Sequence, residues 1–247
     1  MPTPVSIITG ASRGLGLAMA QQLRAQGHRL LTLARKPNPL LDGPETTQWA
    51  VDLAQPSQAA ARLRAWLLAL PPAEVASLTL INNAAGLAAL APLADIEADD
   101  LSAAIRVGLE APLLLTSAFL SGSAGFVVPR KVLNISSGLG RRAMAGSAVY
   151  CAAKAGLDHL SRAVALEEAA RPGGAKIVSL APGVIDTDMQ VQLRSADPAT
   201  FSARDTFASM KAEGRLDSPE AAAAKVLAYL DRSDFGSNPV ADVRDPG

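Results

Sequence analysis

Tyr150 and Lys154 stand one helical turn apart in SAVYCAAK (147–154), in a chain with two tyrosines in all. A tyrosine hydroxyl ordinarily titrates near 10 and is a poor acid or base around neutrality. An ammonium one turn along a helix favours the phenolate. Lowering the phenol by about 3 units takes roughly 4 kcal/mol, which a lysine and a positively charged cofactor ring together can supply. The neighbours Ala148, Ala152 and Ala153 are small and leave room for ligands. YxxxK alone is weak, because most such pairs arise by chance. Ser137, 13 positions earlier at the end of KVLNISS, adds a hydroxyl able to hold a carbonyl oxygen beside the tyrosine.

A second group of residues reads as a phosphate cradle. TGASRGLG (9–16) follows the strand run VSIITG (5–10) and opens a helical stretch from about Leu15 to Gln26. Gly10 permits a tight turn, Gly14 lets the backbone approach a pyrophosphate, and Gly16 lets helix and strand pack closely. Free N–H groups at the helix start then face the phosphates. An NAD site carries Asp or Glu at the end of the second strand, to hold a ribose hydroxyl. Here that strand ends LLTLARK, with Ala34 at the acidic position and Arg35 next. Arg35 and Arg13 suit a 2′-phosphate, since a guanidinium binds phosphate as a planar fork. The expected cofactor is NADP(H).

The elements that must position these residues alternate. Strand runs fall at 28–35, 46–53, 77–84, 131–137 and 175–182. Helical patterns fall at 61–70, at 101–122 with Gly108 and Pro112 inside it, and from Tyr150 onward. Alternating strands and helices make βαβ units, and continuous apolar strands are buried on both faces. The expectation is a single-domain α/β fold, a Rossmann-type doubly wound parallel sheet with helices on both faces. Ligands of such a sheet bind beyond the carboxyl ends of its strands, where Gly10, Asn83, Ser137 and Pro182 fall. The formal net charge is zero, which gives no steering toward nucleic acid or an anionic membrane. Cys151 is the only cysteine, so no intrachain disulfide is possible and a cytoplasmic location is expected. No signal peptide or membrane span is apparent. His28 and His159 are isolated, and no metal site is expected.

Taken in order, TGASRGLG, Asp52-Leu53, NNAA, NISS, YCAAK and PGVIDT resemble the classical short-chain dehydrogenase/reductase family over the whole chain. The resemblance implies that Tyr150 is the general acid/base, that Lys154 lowers its pKa and holds the nicotinamide ribose, and that Ser137 orients the substrate carbonyl. It implies cofactor contacts from Gly10, Ser12, Arg13, Gly14, Leu15, Gly16 and Arg35. Asp52 and Leu53 would flank the adenine, and Asn83, Ala84 and Ala85 would line the cleft. Pro182, Gly183, Val184 and Thr187 would hold the carboxamide. It also implies hydride transfer to a small-molecule carbonyl, and a homodimer or homotetramer built on the helices at 101–122 and after Tyr150.

Two positions depart from that family. NNAG reads NNAA, with Ala85 for glycine. Gly108 stands where the family has an asparagine, which keeps a kink but not the amide. The segment 188–216 is where the family places its substrate lid, with Met189, Val191, Leu193, Phe201, Phe207 and Met210 on offer. FASMKAEGRLDSPEAAA resembles the sub-branch holding sepiapterin reductase and bacterial benzil reductase, which implies an aromatic or pterin-like ketone or a vicinal dicarbonyl. A non-catalytic NADP-binding sensor is the alternative, but sensors tend to lose the tyrosine or lysine. An extended-branch epimerase would space its glycines TGxxGxxG, and a scaffold protein would not need these strand-end motifs.

Overall fold

The computed structural model describes residues 1–245 and resolves the alternation into one seven-stranded parallel sheet. Its strands are β1 (Thr3–Thr9), β2 (Arg29–Ala34), β3 (Thr46–Ala50), β4 (Val75–Asn82), β5 (Arg130–Ile135), β6 (Lys176–Ala181) and β7 (Val240–Asp242), in the order β3-β2-β1-β4-β5-β6-β7. The helices are α1 (Gly14–Ala25), α2 (Pro56–Leu68), α3 (Ala98–Ile105), α4 (Ala111–Gly122), α5 (Ala148–Ala169), α6 (Asp188–Ser195), α7 (Arg204–Ala212) and α8 (Pro219–Leu230). The strand order reverses between β1 and β4, and a crevice opens there at the carboxyl ends.

Successive strand residues feed opposite cores, which is why the strands read as unbroken apolar runs. Ile7, Leu31, Leu80, Val132 and Ile177 join the layer beneath α2, α4 and α5. Ile8, Leu30, Ile81, Leu133 and Val178 join the layer beneath α1 and α8. The expected doubly wound arrangement is therefore present.

Several boundaries differ from the sequence reading. The third strand ends at Ala50, so Asp52 and Leu53 lie in the turn before α2. That helix starts at Pro56, where a proline at the first position needs no N–H partner. Helix α8 and strand β7 had no counterpart in the expected elements. The strand is only three residues at the sheet edge, too short to carry a period-2 pattern.

The apolar run around Pro112 is one continuous helical rod from Ala98 to Gly122. A π-helical turn at Arg106–Glu110 interrupts it. Gly108 is buried in that turn, and a Cβ there would lie 3.1 Å from the Ala153 side chain on α5. The departure at Gly108 thus coincides with a π-helical turn, and the missing side chain lets α5 approach. Much of the apolar surface of α4 is covered within the chain. Neighbouring elements bury Ala111, Pro112, Leu115, Ala118 and Phe119, and only Leu113 remains well exposed among its large apolar residues. Phe119 is 0% exposed at the centre of that layer. Phe119→Ala should lower stability by about 3–5 kcal/mol through lost burial and a residual cavity, read as a fall in the urea midpoint.

Candidate functional site

Gly10 ends β1 at φ +70°, and its N–H donates to the Leu33 carbonyl at 2.7 Å. A Cβ on Gly10 would meet the Ala84 Cα at 2.9 Å, and one on Gly16 would meet the Gly10 carbonyl oxygen at 2.3 Å. Both positions are therefore confined to glycine by backbone approach. Thr9, buried at the same strand end, accepts the N–H groups of Asn83 and Ala84 at 2.9 and 3.0 Å. Asn83 Nδ2 returns to the Thr9 carbonyl at 3.0 Å. The two halves of the crevice are locked together by this exchange.

Helix α1 begins here with no side chain capping it and no acidic residue in its first turn. An uncapped helix start with several N–H groups offers an anion site. The cleft above it has a volume of about 1760 Å³, against ~300–1,000 Å³ for pockets that hold drug-sized ligands. Uncapped donors, glycines fixed by close approach and this size fit a dinucleotide together with a substrate.

The structure gathers every expected site residue around that cleft. The glycine-loop residues 10 and 12–16, Arg35, Asp52, Leu53, Asn83, Ala84 and Ala85 line one end. Ser137, Tyr150, Lys154, Pro182, Gly183, Val184 and Thr187 line the other. Ala34 takes the strand-end position, and Arg35 beside it is exposed with no ion pair among the described residues. Arg13 instead pairs with Asp188 at 2.9 Å, both side chains about two-thirds exposed (67% and 64%). Three contributors were not anticipated. Thr9 ties the crevice, Asn38 donates to the Ser12 carbonyl at 2.8 Å and braces the loop, and Lys36 extends the basic rim. Asn38 and Lys36 could have been found from their place just after the second strand.

At the other end, α5 carries Tyr150 and Lys154. A buried polar seam sets this helix over the sheet. Asn82 Nδ2 donates to Asn134 Oδ1 at 2.8 Å, and Asn134 Nδ2 donates to Ser161 Oγ on α5 at 2.9 Å. Lys154 is 3% exposed and its Nζ donates to the Ile135 carbonyl at 2.7 Å. The ammonium lies 5.5 Å from the centre of the Tyr150 ring. Ser137 accepts the Leu139 N–H at 3.1 Å, which fixes its side chain in a short turn after β5.

The electrostatics differ from the sequence expectation. Burial pushes the Tyr150 phenol up to about 12, against a lowering hydrogen bond from Ser137. Burial pulls the Lys154 ammonium down to about 8, against a raising charge from Asp158. Lys154 does not lower Tyr150 in the protein alone, because desolvation outweighs an ammonium placed toward the ring and bonded to a carbonyl.

The segment after β6 forms α6 and α7 over the cleft. Met189, Val191, Leu193, Phe207 and Met210 line it, joined by Leu87 and Met144. Phe201, expected among the lid contacts, does not line the cleft. It is fully buried, stacks on Phe207 at 5.9 Å between centroids, and packs against Gly146. It anchors the segment that carries α6 and α7 rather than facing the cleft.

Comparison with known proteins places this geometry in context. The model of the short chain dehydrogenase family matches residues 4–198. A benzil reductase ((S)-benzoin forming) from Bacillus cereus is 33% identical, covering 93% of this chain and 94% of the relative. The sepiapterin reductase of Meriones unguiculatus is 32% identical, covering 98% and 96%. A crystal structure of a short-chain dehydrogenase/reductase from Burkholderia vietnamiensis matches with a TM-score of 0.66 and 30% identity, covering 100% of this chain and 99% of the other.

Proposed function

The chain belongs to the short-chain dehydrogenase family, and on that premise we propose that it is an NADPH-dependent carbonyl reductase acting on aromatic ketones or vicinal dicarbonyls. Its family and reductase relatives make it an oxidoreductase of carbonyl and hydroxyl groups that uses a nicotinamide cofactor and small-molecule substrates. The observation that carries the finer reading is the convergence of Ser137, Tyr150 and Lys154 at the inner end of an apolar-walled cleft. A tyrosine at about 12 is fully protonated around neutrality, the form a reductase needs.

In this reading Ser137 donates to the substrate oxygen and Tyr150 gives it a proton. The bound cofactor supplies the hydride that reduces the carbonyl carbon. Lys154 keeps a positive charge beneath the reacting groups and holds the nicotinamide ribose. The remaining cofactor contacts are those of the glycine loop, Asp52, Leu53, Asn83 to Ala85, and Pro182 to Thr187. Leu87, Met144, Met189, Met210 and Phe207 give the substrate end soft, polarisable walls suited to flat rings. Benzil, the diketone named for the Bacillus cereus relative, is such a molecule, and sepiapterin carries a pterin.

Two features support NADPH. No carboxylate stands at Ala34, and Arg35 and Lys36 are exposed at the rim. The Arg13–Asp188 pair is solvent-exposed and so worth little. A phosphate can draw Arg13 away from it. The lone cysteine agrees with a reducing compartment such as the cytoplasm. The oligomer proposed is a homodimer, or a dimer of dimers, formed about α5. That helix leaves Ala152, Ala155, Ala163 and Leu166 exposed along its outer side, with Leu166 at 76%.

NADPH should be preferred over NADH in initial-rate assays with benzil. Arg35→Ala with Ala34→Asp should weaken NADPH binding by about 1.5–3 kcal/mol and move preference toward NADH. Equal use of both cofactors by the wild type would contradict the reading of the second strand. Tyr150→Phe should abolish benzil reduction and leave NADPH binding, followed by fluorescence, close to normal. Turnover retained in that variant would remove Tyr150 as proton donor. Wild-type turnover should fall as pH rises through about 8, where Lys154 loses its charge, while Tyr150 stays protonated. Light scattering at micromolar concentration should give a mass of two or four chains, and a value near 25.4 kDa would dismiss the α5 interface.

A further inference from the structure

One turn beyond Lys154 on α5 lies Asp158, a carboxylate only 2% exposed. Its Oδ1 accepts the Ser136 hydroxyl at 2.5 Å and the Ser179 hydroxyl at 2.7 Å. Its Oδ2 accepts no hydrogen bond and lies 3.3 Å from Arg141 Nε. A Cβ on Gly140 would strike that oxygen at 2.8 Å and the Lys154 carbonyl at 3.0 Å, so the turn after β5 is pressed onto both residues. A carboxylate in this position is costly to bury unless its charge is used or paired. Arg141 is a loose partner, because its guanidinium is shared with the Ala241 carbonyl at 2.7 Å.

We propose that Asp158 is a positioning residue for the Ser137–Tyr150–Lys154 group, clamping the end of β5 to α5 and supporting the Lys154 ammonium with its negative charge. This rests on the reductase reading of that group. Of the serines bonded to Asp158, Ser179 sits on β6 and Ser136 directly follows β5, both strands ending at the cleft, and Ser136 is the immediate neighbour of Ser137. The same short stretch, 135–137, therefore bonds Lys154 through Ile135, Asp158 through Ser136 and the substrate oxygen through Ser137. The charge acts in the direction the geometry implies, since Asp158 raises the Lys154 ammonium against desolvation. The groups around the pair are few. Arg141 and Ser136 face Asp158 from the stretch after β5, and Ser179 faces it from β6. Asp242 of β7, paired with Arg244 at 2.6 Å, lies beyond Arg141. On the other side Lys154 meets the Tyr150 ring.

The test is a pH titration of the full chain carrying ¹³C-labelled lysine, followed by NMR. One of six lysines should titrate near 8, and its signal should be missing in Lys154→Met. Asp158→Asn keeps the shape and removes the charge, and should lower that midpoint by about one unit. Arg141→Gln, at a partly exposed position, should raise it by a few tenths of a unit, because Asp158 is then less neutralised. A midpoint unmoved in Asp158→Asn, or lowered in Arg141→Gln, overturns the proposal. Should Asp158→Asn fail to fold, Asp158→Ser decides in its place: the same fall in midpoint is expected, and an unmoved midpoint overturns the proposal. The alkaline limb of benzil reduction should move with the NMR midpoint. A protein that shows both midpoint shifts but reduces no ketone would overturn the reductase reading and leave the Asp158–Lys154 coupling standing.

Discussion

A lysine ammonium that is 97% removed from solvent must find acceptors or lose its charge. In this protein its hydrogen-bond acceptor is the Ile135 carbonyl, the last of β5. That single bond constrains much else. It requires α5 to cross the carboxyl end of the sheet at one height and one rotation. Apolar packing alone tolerates sliding, because burial is not directional. The Asn82–Asn134–Ser161 seam and the Asp158–Ser136–Ser179 cluster add directional bonds at two further levels of the same helix. Around them the helix surface is kept small, with Ala153 facing Gly108 in the π-helical turn of the neighbouring rod. The helix that carries Tyr150 and Lys154 is thus held by polar bonds inside a layer otherwise built from Leu, Ile and Val.

The cofactor end follows a different logic. There the backbone does the positioning, and side chains mainly hold loops in place. Gly10 and Gly16 bring chain against chain at distances no Cβ permits, and Thr9 fastens the ends of β1 and β4. What results is a helix start whose N–H groups have no side-chain partner. A strand order that reverses at this point leaves the space those groups face.

These two logics explain what was legible in the sequence. Glycines fixed by backbone approach, and small polar residues at strand ends, leave local patterns, so the cradle and the Ser137–Tyr150–Lys154 group could be read directly. The alternating runs disclosed six of seven strands. What was missed depends on partners distant in sequence. Strand β7 is defined by pairing to β6 and has no pattern of its own. Phe201 is indistinguishable from Phe207 until the turn at Gly146 closes over it. The raising effect of burial on Tyr150 was not legible, because spacing gives the distance to a charge but not the extent of desolvation. Here burial is the larger effect, and it keeps the proton on.

The segment carrying α6 and α7 joins both ends of the cleft by unlike forces. Its underside is held by stacked Phe201 and Phe207 with Leu193, Met189 and Met210, contacts that burial makes costly to open. Its ends are held by charge. Asp186 pairs with Arg194 at 3.5 Å and also with Lys211, Asp217 pairs with Lys225 at 2.7 Å, and Asp188 reaches Arg13 in the glycine loop. Ion pairs open to water contribute little and exchange partners readily. Exchange at the charged rim would leave the aromatic stack undisturbed. The rim can therefore rearrange while the apolar underside keeps the shape of the cleft. That division lets Arg13 of the glycine loop line the cleft and also tether the first turn of α6.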